Sequence, residues 1–90
     1  METTPDHPTE TLTVEVFAPT DRHPRRFAFN RTETVGAAAE SAARDFGLHP
    51  TAPSFEVEGT KIPLDRSKTL ADAGVHDGEK LELVDVGGGV

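Results

Sequence analysis

One stretch of this chain repeats at helical period, and the segments around it alternate in twos. In "TETVGAAAESAARDFGL", Val35, Ala38, Ala39, Ala42 and Phe46 fall on one face of a helix. Thr34 is placed to accept the first free amides as N-cap, and Gly47 to end the helix in a left-handed conformation. The spacing predicts a helix from about Thr34 to Phe46. Its apolar stripe is almost all alanine, so the helix must lie close to whatever it covers. Phe27, Phe29, Phe46 and Phe55 are left to supply the bulk that the alanines lack.

Before the helix, "TLTVEVFAP" alternates, with Leu12, Val14 and Val16 on one side and Thr13 and Glu15 on the other. That is the pattern of a half-buried strand, and Pro19 ends it. "TDRHP" is rich in turn residues, and "RRFAFN" alternates again through Phe27 and Phe29, so an antiparallel hairpin is expected. After the helix, "HPTAP" reads as a loop and "SFEVEG" as a short strand with Phe55 and Val57 inward. "KIPL" is a short extended piece whose Pro63 suits a sheet edge. A helical turn is expected around Leu70 to Ala73, a tight turn at Asp77-Gly78, and a last strand through Leu81 and Leu83. Hairpins flanking one helix give an α+β chain, with a mixed sheet of four to five strands packed on that helix.

Ninety residues make one small domain. Residues 1–10 carry no apolar period and are expected to be a disordered leader, with the folded domain over 11–86. The net charge of −7 argues against nucleic acid and anionic membranes as partners, since both want a basic surface. No cysteine is present, which excludes a disulfide scaffold, a cysteine zinc site and a cysteine nucleophile, and fits a reducing cytoplasm. The four histidines have no metal-ligand spacing, so no metal or cofactor is expected.

The chain closes with three glycines, Gly87, Gly88 and Gly89, followed by Val90. Glycine loses the most conformational freedom on folding, so the run predicts a flexible tail over 87–90 rather than a packed element. In "EGTKIPLDRSKTLADAGVHDGEKLELVDVGGG" the residues Gly59, Thr69, Leu70, Asp72, Val75, Leu81 and Leu83 stand where ubiquitin-like proteins of the β-grasp fold carry their second-half pattern. Over roughly residues 11 to 89 the chain resembles that family.

The resemblance implies a β-grasp fold and a reason for the glycines. In ubiquitin-like modifiers and the related sulfur carriers, an E1-like enzyme adenylates a terminal glycine carboxylate with ATP after the tail has threaded a narrow channel. Carried to this chain, Gly89 is the reacting residue, and Asp85, Val86, Gly87 and Gly88 are the tail the enzyme reads. Val90 stands as a one-residue propeptide, so processing falls between Gly89 and Val90. A bacterial setting is implied, with an E2-like enzyme and a JAB-type metallopeptidase as further partners and target proteins as acceptors. The domain is then a monomeric substrate, not an enzyme. Two alternatives stay open: a sulfur carrier ending in a thiocarboxylate, and a non-covalent interaction module.

Ubiquitin carries an apolar patch on its outer sheet face. The matching positions here are Glu15, Ala28, Glu56, Glu82 and Val84, a largely acidic candidate partner surface. Arg22, His23, Arg25 and Arg26 form a basic cluster in the first hairpin that could dock an acidic patch.

Overall fold

The structure is a computed structural model that describes residues 10–87. Among the described residues four strands and one helix follow in the order β1 (Thr11–Ala18), β2 (Asp21–Asn30), α1 (Val35–Asp45), β3 (Pro53–Val57) and β4 (Lys80–Asp85). The strands form one sheet in the order β2-β1-β4-β3. β1 pairs antiparallel with β2 and parallel with β4, and β3 pairs antiparallel with β4, so the sheet is mixed. The first and last strands therefore lie side by side at its centre.

The helix begins as the capping signal predicts. The Thr34 hydroxyl accepts the Ala37 amide at 3.2 Å. The Val35 and Gly36 amides, which have no partner inside the helix, donate to Lys68 O and Arg66 O at 2.8 and 3.0 Å. The segment after β3 thus closes over the helix N-terminus. Phe46 is the C-cap, and Gly47 follows at φ +78°.

Ala38, Ala39, Ala42 and Ala43 are buried against the sheet, together with Leu12, Val14, Val16, Phe29, Phe55, Leu70, Val75, Leu81 and Leu83. The aromatics fill the space that the alanines leave. Phe27 stacks on Phe29 with ring centres 5.5 Å apart and leans on Phe46 at 6.2 Å, and Phe29 meets Phe55 at 6.2 Å. Phe27 and Val57, expected to be buried, are only half-buried, because each sits near an open margin of the sheet.

Two expectations about secondary structure change. Of "TDRHP" only Thr20 lies in the turn: β2 already starts at Asp21 and runs through Pro24. The strand lies at the sheet edge, and its register shifts between Val16 and Ala18, so the proline removes no ladder hydrogen bond. "KIPL" forms no strand, only a single bridge from Pro63 to Glu56 and a bond from the Leu64 amide to Phe55 O at 2.8 Å. The turn at Leu70–Ala73 is present, closed by Ala73 N–H to Thr69 O at 2.9 Å.

Candidate functional site

The end of β4 is locked to the loop before β3. The Val86 amide donates to Ala52 O at 2.9 Å, carrying the β3–β4 ladder one step past the strands. The Asp85 carboxylate then gathers three backbone amides: Oδ1 accepts from Ala52 at 2.9 Å and Gly87 at 3.1 Å, and Oδ2 from Thr51 at 3.0 Å. These amides, Ala52 first, hold the Asp85 carboxyl below the usual carboxylate range. A one-strand exit has become a clasp.

Gly87 belongs to that clasp. A Cβ built on it would lie 2.6 Å from the Ala52 Cβ, a distance real carbons do not reach. Gly87 is therefore part of the packed body rather than of the flexible tail expected over 87–90, and the first glycine has a steric reason of its own. Gly88, expected in the tail that the enzyme reads, and Gly89 and Val90, the expected reacting and processing residues, lie outside the described residues, as do residues 1–9 of the expected leader. Glu10, the last of that leader, is tied in by its carbonyl, which accepts the Arg31 amide at 2.8 Å.

Beside the clasp lies a cleft of about 480 Å³, between the last turns of α1 and residues 48–53, which lead into β3. Ala43, Leu48, Pro50 and Pro53 give it apolar walls, and Glu40, Arg44 and His49 its polar ones. Arg66 borders the same region. Its Nε donates to Pro53 O at 2.8 Å and its Nη2 to Glu40 Oε2 at 2.9 Å, while Gly36 packs under the guanidinium.

The outer sheet face holds the five surface positions together: by strand alternation and register Glu15, Ala28, Glu56, Glu82 and Val84 all point away from the core. The face is less acidic than expected. Arg26 and Lys80 lie opposite Glu15, with Arg26 at 3.7 Å from its carboxylate. Phe17 also lies there, opposite Glu82, and with Pro19, Val84 and Glu82 it lines a hollow of about 350 Å³. The alternation of β1 already carried this signal, since Phe17 is out of phase with Val14 and Val16.

The basic hairpin is partly spoken for within the fold. Arg25 donates to the Asp45 carboxylate at 2.7 Å and carbonyl at 3.0 Å, and its guanidinium sits 4.7 Å from the Phe46 ring centre. Among the described residues no helix is long and apolar enough to cross a membrane.

No protein-family model matches the chain, and no curated protein does. Solved structures match it well. The ubiquitin-like domain from tubulin-binding cofactor B superposes with a TM-score of 0.71 at 22 % identity, covering 89 % of this chain and 94 % of that one. Caldiarchaeum subterraneum ubiquitin gives 0.69 at 22 % identity, covering 89 % and 99 %. A chain of the toluene 4-monooxygenase HD complex with 4-bromobenzoate gives 0.73 at 15 % identity, covering 83 % and 98 %. At such identities the likeness establishes the fold alone: this is a ubiquitin-like β-grasp.

Proposed function

We propose that the chain is a ubiquitin-like protein modifier. Removal of Val90 exposes the Gly89 carboxylate. That carboxylate attacks the α-phosphorus of ATP on an E1-like enzyme and releases pyrophosphate. An enzyme thiolate then displaces AMP, and an amine or other nucleophile of a target protein takes the acyl group. The domain supplies the reacting carboxylate and the surface that is recognised; the catalytic groups belong to its partners.

The observation that carries this reading is the join between β4 and the glycine run. The central strand of a ubiquitin-like fold leads directly into the glycines, and the clasp at Asp85 fixes where they depart. A tail meant only as slack would gain nothing from a fixed point of departure.

Pyrophosphate exchange with the cognate E1-like enzyme tests the reading. A chain truncated after Gly89 should support exchange, the form bearing Val90 should react poorly until a peptidase removes it, and Gly89→Ala should lose activity even when truncated. Equal rates for all three would remove the precursor role of Val90. Intact mass after activation separates the modifier from a sulfur carrier, because only the carrier exchanges its terminal oxygen for sulfur.

The hollow beside Phe17 and Val84 favours a second reading, a non-covalent interaction module. The ubiquitin-like domain of tubulin-binding cofactor B shows that the fold occurs as a domain from a differently named protein. Absence of exchange with every form would support this reading.

A further inference from the structure

We propose that the cleft between α1 and residues 48–53 is where the activating enzyme grips the body of this protein, through a segment that presents a carboxylate beside an apolar side chain. The inference rests on the modifier reading and adds the surface on which activation depends.

From Val86, four residues to Gly89 would span about 13–14 Å when extended. Val86 and Gly87 are bound to Ala52 and Asp85, so only Gly88 and Gly89 extend the chain beyond the clasp. Two residues span at most about 7 Å. An enzyme that takes the Gly89 carboxylate into its nucleotide site must therefore lie against the body where the clasp is.

Thr51 and Ala52 hold the tail, while their neighbours Pro50 and Pro53 line the cleft. One loop thus fixes the tail and shapes the adjoining concave surface. Apolar walls from Ala43, Leu48 and the two prolines suit an inserted apolar side chain.

Glu40 stands four residues before Arg44 on α1, the spacing of a helical ion pair. Arg66 takes Glu40 instead, at 2.9 Å. Among the described residues the Arg44 guanidinium is left with no carboxylate, at the rim of the cleft, in a chain of net charge −7. His49 adds a second donor at the same rim. An unpaired cation amid general acidity selects a partner that brings its own carboxylate.

The test is steady-state pyrophosphate exchange with the cognate E1-like enzyme, using the chain truncated after Gly89. Arg44→Glu should raise KM for the protein about tenfold or more and leave kcat within about twofold, the signature of lost docking. Arg44→Gln should fall between. Lys61→Glu makes the same charge change at an exposed residue outside the cleft and the basic hairpin and should behave as wild type. Thermal unfolding of each variant checks that the fold is kept. If Arg44→Glu matches Lys61→Glu in KM, the docking surface is overturned while the modifier reading stands. If the wild-type chain supports no exchange at all, the modifier reading falls and the docking surface falls with it.

Discussion

The Cβ that Gly87 lacks would fall 2.6 Å from the Cβ of Ala52. Gly87→Ala should therefore push the end of β4 off the 51–52 loop and weaken the bonds at Asp85. The alanine methyl is the nearest obstacle, so Ala52→Gly should relieve it. A double-mutant cycle read by thermal unfolding should give a favourable coupling of about 0.5 kcal/mol or more between the two substitutions. Additive effects would mean that the two residues do not meet.

Asp85 gives a pH signature at the same place. Its carboxyl lies below the usual range because backbone amides of Ala52, Thr51 and Gly87 bind the ionised form. A group depressed in the folded state stabilises above its unfolded value, about 3.9, and that contribution is lost as pH falls through the lower folded value. The amide proton shifts of Thr51, Ala52 and Gly87 should stay constant from pH 7 to about 5 and move together below about pH 4. In Asp85→Asn they should already be displaced at neutral pH, since the amide group offers one acceptor where the carboxylate offered two. Independent titration of the three amides would argue against a shared carboxylate.

Ala42 tests the packing of the helix. It is fully buried among the sheet residues. Ala42→Glu must bury a charge with no partner or expel the helix, and a small domain has only about 5 kcal/mol to lose. Urea unfolding should find the variant unfolded or nearly so without denaturant. A stable variant would mean that the helix presents another face.

Arg66 ties three parts of the fold together through Pro53 O, the Glu40 carboxylate and the contact over Gly36. Arg66→Ala should cost about 1–2 kcal/mol in urea unfolding, more than an exposed ion pair is worth, because the Pro53 carbonyl also loses its donor. Arg66→Lys should recover only part of the loss, since one ammonium cannot reproduce the two-directional fork. Full recovery with lysine would show that charge alone matters there.

On the outer sheet face, Glu56 stands where ubiquitin's central apolar residue is expected, and Glu82 lies opposite it. Receptors selective for an apolar patch should not bind this face. Micromolar binding lost on Phe17→Ser or Val84→Ala, measured by calorimetry, would show that the Phe17 hollow suffices for them.

Much of this architecture is written in local periodicity. The step from Val14 and Val16 to the stripe Val35–Ala38–Ala42 separates strand from helix, and Thr34 and Gly47 mark the helix ends where the fold has them. The length of β2 is not legible, because Pro24 reads as a breaker until the strand is known to lie at a bulged edge. The clasp is hidden for a different reason. Asp85 meets Thr51 and Ala52 across 34 and 33 residues, and its partners are backbone amides that every residue but proline carries. Nothing in their side chains announces the contact. The same holds for Gly87, whose need for glycine comes from the methyl of a distant alanine and not from its neighbours in the run.

The placement of β4 also decides how the protein bears mechanical load. A pull on the chain beyond Gly87 first meets the three amides gathered by Asp85 and the Val86 bond to Ala52. Behind them the strand is held on both sides, by β1 and by β3, with the force directed along the ladders rather than across them. Ladder bonds strained along the strand share the load, whereas bonds peeled from one end give way in turn. A cargo hung from the glycine end would thus hang from the middle of the sheet, with the clasp yielding before the fold does.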